Sequence, residues 1–576
     1  GTGGRLGFTH GLVRQASLYR HPTDGASVHA RLATHHGPTA AIDRIAGDDA
    51  LWHTLLAGTR VADLLDPLLR SVQPFSDEAE AAARTFTLAA QHDLASVLEC
   101  VACSELTSGS LITLGWYLQE WGPTQLNTTI RSQLASTVLD IAARLAAADA
   151  NNAQAQRDLS ISFDNVADVA MQRGDLETAD NLYRQSLDIA RQLADANVDD
   201  AFSQRHLSIA LNCVAGVAAR RGDYESADAL YRQSLDIARR LVAADTDDAQ
   251  WQRSLSTSLN HVAGVALRRG DYESADALYR QSLDIARQVA NADTNNAQLQ
   301  RDLSIALTHV AGAALRRGDL DDADVAYRQS LEILGCLAAG DAHNAQAQRD
   351  LCLALNNVSE MTLRRGDLDT ADVTYRQTLD IARRLAVADG SDAAAQRDLS
   401  IQLNHVAGVA ALRGDLGGAD VAYRESLDIR NWLVAVDTGN AQAQRDLSIQ
   451  LNHVARVALK RGDLANADAA YRQSLDITRR LAAGDANDAQ AQRDLLVSLD
   501  NVAVVAFQRG FLGDAVADWL QAAQLAIGFP YGHPIGAELR PYFAGRLDAV
   551  VQQLKRKDRD LAARCRAAAA QLRGTT

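Results

Sequence analysis

The chain has 576 residues, of which 47% are hydrophobic and 5% aromatic, and a formal net charge of −15. This acidic balance argues against a nucleic-acid partner, because phosphate contacts need clustered Lys and Arg. No run of about 18 apolar residues occurs, so we expect no membrane span. The six scattered cysteines, and an N-terminus without a charged-then-apolar leader, favour a cytoplasmic location.

Residues 1–105 carry no repeat, and we predict an irregular helical N-terminal region there. Apolar periodicity favours helices at Leu51–Leu56, Val61–Leu69 and Glu78–Leu106. No phosphate-binding Gly-Lys-Ser/Thr loop occurs, so we expect no nucleotide cofactor. Nothing in this region assembles a nucleophile, a base and an orienting group. We therefore predict no catalytic residues, and an enzyme with its activity in residues 1–105 ranks last among the functional hypotheses.

Two short motifs in the same region have structural explanations. Cys100 and Cys103 have the CxxC spacing of metal and redox sites, but no second pair accompanies them. We interpret them as buried cysteines of a helix. His35 and His36 are adjacent, so their rings would diverge by about 100° on a helix. We interpret them as surface residues.

From residue 106 onward the sequence becomes periodic. Residues 106–152 have the pattern of a degenerate capping repeat, and eight regular units of 48 residues fill residues 153–527. Residues 528–576 form a C-terminal cap with helices predicted near Leu539–Lys555 and Arg559–Leu572. A glycine marks the same place in every regular unit: Gly174, Gly222, Gly270, Gly318, Gly366, Gly414, Gly462 and Gly510. A fixed period of this length indicates a solenoid of stacked units.

Each unit has the pattern of a helical hairpin. In the third unit, apolar residues recur at helical spacing in two stretches: Leu255, Leu259, Val262, Ala263 and Ala266, then Tyr272, Ala275, Tyr279, Leu283 and Ala286. Between them, Gly270 supplies a left-handed residue that ends the first helix, and Asp271 is placed to cap the second. The polar segment Asp293–Asn296 can cap the helix that follows. A single hairpin cannot bury both apolar stripes, so the sequence predicts an all-α stack of hairpins.

Seven units carry an Arg-Gly-Asp tripeptide at this turn, for example Arg269-Gly270-Asp271. The tripeptide spells a cell-adhesion motif. Its position explains it without an adhesion role, because glycine ends one helix and aspartate caps the next.

The third unit resembles the tetratricopeptide repeat (TPR) family. The matching positions are Leu259, Val262, Ala263, Ala266, Gly270, Tyr272, Ala275, Tyr279, Ser282 and Leu283. The usual repeat has about 34 residues, so we expect both helices to be longer here by a turn or two. The stretches Leu259–Ala263 and Leu355–Val358 look like the kinesin light chain subgroup. The resemblance implies a right-handed superhelical solenoid that binds proteins or peptides, with the first helix of each hairpin lining the concave groove.

By that implied geometry, three positions of the first helix form the candidate ligand-binding groove. They carry Asn212, Asn260, Asn356, Asn404 and Asn452, then His261, His309, His405 and His453, then Arg220, Arg268, Arg316, Arg364 and Lys460. Asparagine offers the donors and the acceptor that an extended peptide backbone needs. Arginine favours acidic side chains or a carboxylate in the partner. The alternative is structural: Asn and His would bond neighbouring repeats or cap helices, and Arg would solvate the face.

The recurring histidines also allow a metal-binding interpretation. Packed helices lie about 8–10 Å apart, whereas zinc ligands each lie about 2 Å from the metal. Equivalent histidines of successive units would have to converge over a long distance, and no carboxylate or cysteine completes the set. We therefore predict no metal site.

The N-terminal stretches Phe8–Ala16 and His29–Ala33 resemble the link between a winged-helix module and a helical repeat array in bacterial STAND-type signalling ATPases. The leading hypothesis is therefore a non-enzymatic protein- or peptide-binding scaffold, the sensor or recognition region of a larger bacterial signalling or defence protein. A free-standing cytosolic adaptor that tethers two protein partners is the alternative. The sequence leaves the oligomeric state open.

Overall fold

The computed structural model shows a chain built of α-helices. It describes residues 94–103 and, from 128 to 574, all positions except 247, 343, 389, 391, 530–533 and 555–557. The helices are α1 (Leu94–Cys103), α2 (Thr128–Ala148), α3 (Ala153–Arg173), α4 (Leu176–Ala196), α5 (Ala201–Arg220), α6 (Tyr224–Ala244), α7 (Ala249–Arg268), α8 (Tyr272–Ala292), α9 (Ala297–Arg317), α10 (Leu320–Gly340), α11 (Ala345–Arg364), α12 (Leu368–Ala388), α13 (Ala393–Leu412), α14 (Leu416–Val436), α15 (Ala441–Lys460), α16 (Leu464–Gly484), α17 (Ala489–Gln508), α18 (Leu512–Gly528), α19 (Pro534–Leu554) and α20 (Arg559–Leu572). The described residues contain no strand, so the predicted all-α class is confirmed for them.

Helices α3 to α18 form eight hairpins, and each odd-numbered helix is the first of its pair. Hairpin 1 is α3 with α4, hairpin 3 is α7 with α8, and hairpin 8 is α17 with α18. Helices α7 and α8 have 20 and 21 residues, which confirms the expected lengthening. The chain divides into two compact units: the first is Gly1–Arg173, Asn181–Asn197 and Leu385–Gln396, and the second is Gly174–Asp180, Val198–Arg384 and Arg397–Thr576.

The turn inside a hairpin is set by one glycine and the aspartate that follows it. Gly270 has a φ of 82°, and its N–H bonds the Leu267 carbonyl while the Asp271 N–H bonds the Ala266 carbonyl at 2.9 Å. This pattern satisfies the last carbonyls of α7. The Asp271 carboxylate then accepts the Ser274 N–H at 3.1 Å and starts α8. Both predicted roles are confirmed.

The loop between hairpins 3 and 4 ends in a second cap. The Asn296 side chain accepts the backbone N–H groups of Gln298 and Leu299 at the start of α9. The polar segment that closes the third unit therefore caps the next helix, as its composition predicted.

The two helices of a hairpin approach each other through buried and half-buried serines. The Ser208 and Ser234 hydroxyls lie 2.7 Å apart in hairpin 2, and those of Ser256 and Ser282 lie 2.7 Å apart in hairpin 3. Small side chains let the helices pack closely. The shared hydrogen bond satisfies hydroxyls that are removed from water.

Neighbouring hairpins share apolar cores. Tyr231 and Leu235 of α6 belong to the same buried cluster as Leu259 and Val262 of α7. Burying a side chain of this size contributes about 1.5–3 kcal/mol. An isolated hairpin would leave this surface in water, so the stack stabilises each of its members.

Rows of ion pairs also join neighbouring hairpins. Arg253 of α7 pairs with Asp302 of α9 at 2.6 Å, and the Arg of the Arg-Gly-Asp turn pairs backward, as Arg317 does with Asp276 at 3.2 Å. The first row continues as Arg301–Asp350, Arg349–Asp398, Arg397–Asp446 and Arg445–Asp494. The second includes Arg221–Asp180, Arg365–Asp324, Arg413–Asp372, Arg461–Asp420 and Arg509–Asp468. The tripeptide thus has a structural use for all three of its residues. Each exposed pair contributes about 0.2–1 kcal/mol.

Hairpin 8 is covered by α19 and α20. Phe543 and Leu547 of α19 lie in the same core cluster as Trp519 of α18. Helix α19 begins at Pro534, earlier than the predicted Leu539. Proline fits the first turn of a helix, where its missing N–H has no intrahelical partner to lose.

Several predictions fall outside the described residues. They concern the helices at Leu51–Leu56 and Val61–Leu69, the pair His35–His36, and the stretches Phe8–Ala16 and His29–Ala33. Within Glu78–Leu106, the described part is the helix Leu94–Cys103, which contains both cysteines of the CxxC pair.

A substitution at a turn glycine tests the hairpin geometry. Gly318 has a φ of 86°, so Gly318→Val should cost about 1–3 kcal/mol, because a β-branched residue resists this conformation. Gly312→Ala is the matched control. It lies inside α9, and an added Cβ would meet no atom within 4 Å, so it should be neutral or stabilise by up to about 1 kcal/mol. Urea unfolding followed by circular dichroism measures both, and equal midpoints for the two variants would contradict the assignment.

Candidate functional site

The recurring asparagines occupy one side of the first helices in the second compact unit. Asn212, Asn260, Asn356, Asn404 and Asn452 lie on α5, α7, α11, α13 and α15 respectively. Each is half-buried. Residues three positions apart are neighbours on a helix surface. We call the side that carries these asparagines, together with the residue three positions before each of them, the ladder face.

The side-chain amides of these five asparagines, which we call the ladder, lack hydrogen-bond partners for their oxygen atoms in the described part of the chain. The Oδ1 atom of each of the five asparagines is buried and has no hydrogen-bond partner among the described residues. The Nδ2 atoms donate no hydrogen bond within the described residues and are not among the buried atoms that lack a partner, so these donors are at least partly accessible from the surface. A buried carbonyl without a partner costs about 1–3 kcal/mol. Because Oδ1 makes no internal bond, rotating the amide toward a ligand would break none.

The recurring histidines have a packing role that the sequence did not reveal. Each ring stacks on the tyrosine of the preceding hairpin, with centroids 4.8–5.1 Å apart and planes within 6° of parallel. The pairs are Tyr231–His261, Tyr279–His309, Tyr375–His405 and Tyr423–His453. Such contacts contribute about 0.5–1.5 kcal/mol beyond burial. The rings therefore join adjacent hairpins and are only partly open to a ligand.

Burial keeps these histidines neutral. It lowers the pKa of His261, His309 and His405 below the usual value. For His453, burial and the charge of Arg456 lower the pKa to about 4. The Arg456 guanidinium donates to His453 Nδ1, which a neutral ring can accept. The histidines thus contribute neutral rings at physiological pH.

An apolar row on the ladder face was missed from the sequence. Its members lie three residues before the asparagine position, and several are 41–57% exposed: Ile209, Ile305, Leu353, Ile449 and Val497. Aliphatic side chains this exposed on a regular helix mark a surface that can bind apolar groups. The recurrence of an aliphatic residue at the 48-residue step is the signal in the sequence that could have identified this row.

The basic row consists of Arg220, Arg268, Arg316, Arg364 and Lys460. Some of these side chains form ion pairs and others do not. Arg364 pairs with Glu360 at 2.8 Å, and Arg220 lies 3.6 Å from Asp488. Arg268, Arg316 and Lys460 are exposed, and none of the three forms an ion pair in the described part of the chain. These three side chains are therefore the members of the row that can meet an acidic group.

Carboxylates replace asparagine at both ends of the ladder. In hairpin 1, burial raises the pKa of Asp164 to about 7. In hairpin 8, Asp500 accepts the Trp519 indole N–H at 2.8 Å and the Tyr542 hydroxyl at 2.6 Å. Arg546 of α19 lies 3.1 Å from the same carboxylate. The ladder position thus anchors the C-terminal cap in hairpin 8.

The ladder face offers amide donors, apolar side chains and cations, all suited to non-covalent recognition. In the described part of the chain, no three His, Cys, Asp or Glu side chains converge as a metal site would require. The same residues contain no helix that is both long and apolar enough to cross a bilayer.

These features define a class, the helical-hairpin repeat proteins that serve as protein-interaction scaffolds. Models of the tetratricopeptide repeat family match residues 162–196, 209–248 and 255–295. The part of the chain that these models match therefore consists of tetratricopeptide repeats, as the third unit predicted. Proteins of this family bind other proteins or peptides. No curated protein matches the sequence.

Solved structures with related folds include three of interest. BtubC (BKLC) from P. vanneervenii is 20% identical, with a TM-score of 0.36, covering 45% of this chain and 92% of its own. A Rap protein complexed with competence and sporulation factor is 13% identical, with a TM-score of 0.41, covering 74% and 98%. A STAND protein with a tetratricopeptide repeat sensor from Pyrococcus horikoshii is 11% identical, with a TM-score of 0.40, covering 82% of this chain and 65% of its own.

The buried histidines should make stability depend on pH. The pKa of His453 is about 4 when folded and about 6.5 when unfolded. Between these values the unfolded chain binds more protons, so stability falls as the pH drops. From pH 7.5 to 4.5 this group should account for a loss of about 2–3 kcal/mol. His453→Phe keeps a ring on Tyr423 and cannot titrate.

Urea unfolding of the parent and of His453→Phe at both pH values measures this contribution. The carboxylates shared by the two proteins cancel in the comparison, so the variant should lose less stability on acidification. An identical loss in both proteins would contradict the assignment.

Proposed function

We propose that the ladder face binds an extended segment of a partner protein. The observation that carries the proposal is the row of five asparagines whose Oδ1 atoms have no hydrogen-bond partner among the described residues. Outward Nδ2 donors can bind the carbonyls of an extended backbone, and a rotated amide can accept its N–H groups. The asparagines recur at the period of the hairpins. The N–H and C=O groups of an extended segment also recur at a regular spacing, so successive asparagines can bind successive groups of the segment.

The side chains beside the asparagines favour a segment with apolar and acidic residues. The exposed row that includes Ile305 and Leu353 can cover apolar side chains of the partner. Arg268, Arg316 and Lys460 can form charge-assisted hydrogen bonds to carboxylates, which are about twice as strong as neutral ones. These contacts support an acidic segment with apolar positions as the partner.

We propose further that this binding serves as the sensor or recognition region of a larger bacterial signalling or defence protein in the cytoplasm. The resemblance of Phe8–Ala16 and His29–Ala33 to STAND-type linkers supports this. A free-standing adaptor that tethers two partners is the alternative. The genomic sequence upstream of Gly1 separates them: a nucleotide-binding domain in the same reading frame supports the sensor, and a start codon close to Gly1 supports the adaptor.

Removing the ladder amides should abolish binding without unfolding the chain. A random dodecapeptide library on phage, selected against the full chain, supplies the ligands. Each neutral hydrogen bond contributes about 0.5–1.5 kcal/mol, so single Asn→Ala changes should weaken a selected peptide about two- to tenfold. The triple variant of Asn260, Asn356 and Asn404 should nearly abolish binding in fluorescence anisotropy.

The matched control removes three exposed amides at the same step on the second helices. They are Gln233, Gln281 and Gln329, each changed to Ala. This variant should bind within about twofold of the parent. Tight binding by the triple Asn variant, or failure of the parent to select any peptide, would overturn the proposal.

The charge of the partner is tested by reversal. Arg268→Glu with Arg316→Glu should weaken an acidic selected peptide strongly at low salt and less at high salt, because salt screens exposed charges over about 8–10 Å. Arg240 and Arg480 are exposed on second helices, and Arg240→Glu with Arg480→Glu provides the control with the same change in charge. A salt-independent loss would indicate that the double variant acts through structure instead.

A further inference from the structure

Hairpin 3 departs from the other hairpins at two positions that lie close together. Position 289 holds Val, and the equivalent residues of hairpins 1, 2, 4, 5, 6 and 7 are all leucine: Leu193, Leu241, Leu337, Leu385, Leu433 and Leu481. Position 257 holds Thr, and the other seven equivalents are aliphatic: Ile161, Ile209, Ile305, Leu353, Ile401, Ile449 and Val497. Val is shorter than Leu, and Thr is shorter than the Ile or Leu that six of the seven other units carry.

Both shortened side chains line one cavity of about 160 Å³ between hairpins 3 and 4. Its apolar wall is formed by Ile285 and Val289 of α8 with Leu299 and Ile305 of α9. Thr257 lies at its rim on the ladder face. An aliphatic residue at 257 and a leucine at 289 would each place additional carbon atoms toward this space. The two shorter side chains therefore leave more space here than Ile and Leu at the same positions would.

The rim of the cavity is polar. Asn260 lies on it, and the Oδ1 of this residue is buried without a partner among the described residues. Arg253 and Asp302 face each other across the rim in a 2.6 Å ion pair, so their charges are mutually compensated. An apolar wall with a polar rim accepts an apolar side chain and can bond the backbone that carries it.

We infer that this cavity takes one leucine-sized aliphatic side chain of the bound segment and so fixes the register of the partner on the repeats. The inference rests on the proposed function. Asparagines that repeat from hairpin to hairpin can bind a backbone in more than one register, so a fixed register needs a feature that distinguishes one hairpin from its neighbours. A cavity of about 150 Å³ holds a molecule as large as benzene, so an aliphatic side chain fits here.

The cations beside the cavity favour a bound peptide that carries an acidic residue near the anchored side chain. Arg268 and Arg316 lie on the two first helices that flank the cavity, and both are without an ion pair in the described part of the chain. The bound segment should therefore carry an acidic residue in addition to the anchored aliphatic one.

Filling the cavity provides the test. Thr257→Ile with Val289→Leu introduces the residues that most other hairpins carry, so this double variant should fold with an unchanged or higher melting temperature. Val325→Ile adds a methylene on an exposed side chain of α10 and is the control. The dodecapeptide library is selected in parallel against the parent, the filled variant and the control.

The parent and the control should each select peptides that combine one fixed aliphatic position with Asp or Glu. The filled variant should retain the acidic preference and lose the fixed aliphatic position. A parent-selected peptide should bind it at least about tenfold more weakly. The same consensus and affinity on parent and filled variant would overturn the cavity as anchor, while the triple Asn variant still tests the ladder. If no peptide is selected by the parent, the proposed function fails, and the inference fails with it.

Discussion

The stacked tyrosine of a second helix is the contact on which the stack depends, because in four hairpins it belongs to two hairpins at once. The Tyr279 ring stacks on His309 of the next hairpin, and its hydroxyl lies over Gly264 of its own, 3.7 Å from where a Cβ would be. A large flat side chain held from both sides fixes the spacing of the helices around it. The Schellman turn at Gly270 and the ion pairs between hairpins can repeat in register only because this spacing is constant.

This dependence divides the residues of a unit into two kinds. Positions that set the spacing hardly vary, such as the turn glycine, the capping aspartate and the buried serine pairs. Positions on the ladder face vary more, since they carry Asn, Thr or Asp at one position and Ile, Leu, Val or Thr at another. A solenoid whose hairpins touch only their neighbours tolerates such local variation. The differences between units, rather than their similarity, are therefore where selectivity for a partner can reside.

The charges follow the same division. Most repeated arginines form ion pairs with aspartates of a neighbouring hairpin. A chain with many Arg residues therefore need not present a basic surface. Each exposed ion pair of this kind stabilises the fold only weakly. An arginine that is in such a pair is also not available to bind an acidic group of a partner. Arg268 and Arg316 differ from Arg317 in this respect, because Arg317 is committed to Asp276. A row of identical residues in the sequence thus contains both structural and available charges.

The sequence by itself determined the hairpins, their number of residues and their turns, because helix periodicity, a left-handed glycine and an N-cap are local properties. Gly270 and Asp271 could be assigned from their neighbours alone. Only the tertiary structure decided what the repeated polar residues do. The stacking of His261 on Tyr231 joins residues of different hairpins, and the burial of Asn260 Oδ1 depends on atoms of other helices. The cavity at Val289 arises where two helices fail to fill the space between them. Such properties depend on distances between segments far apart in the chain, and one sequence's spacing does not specify these distances.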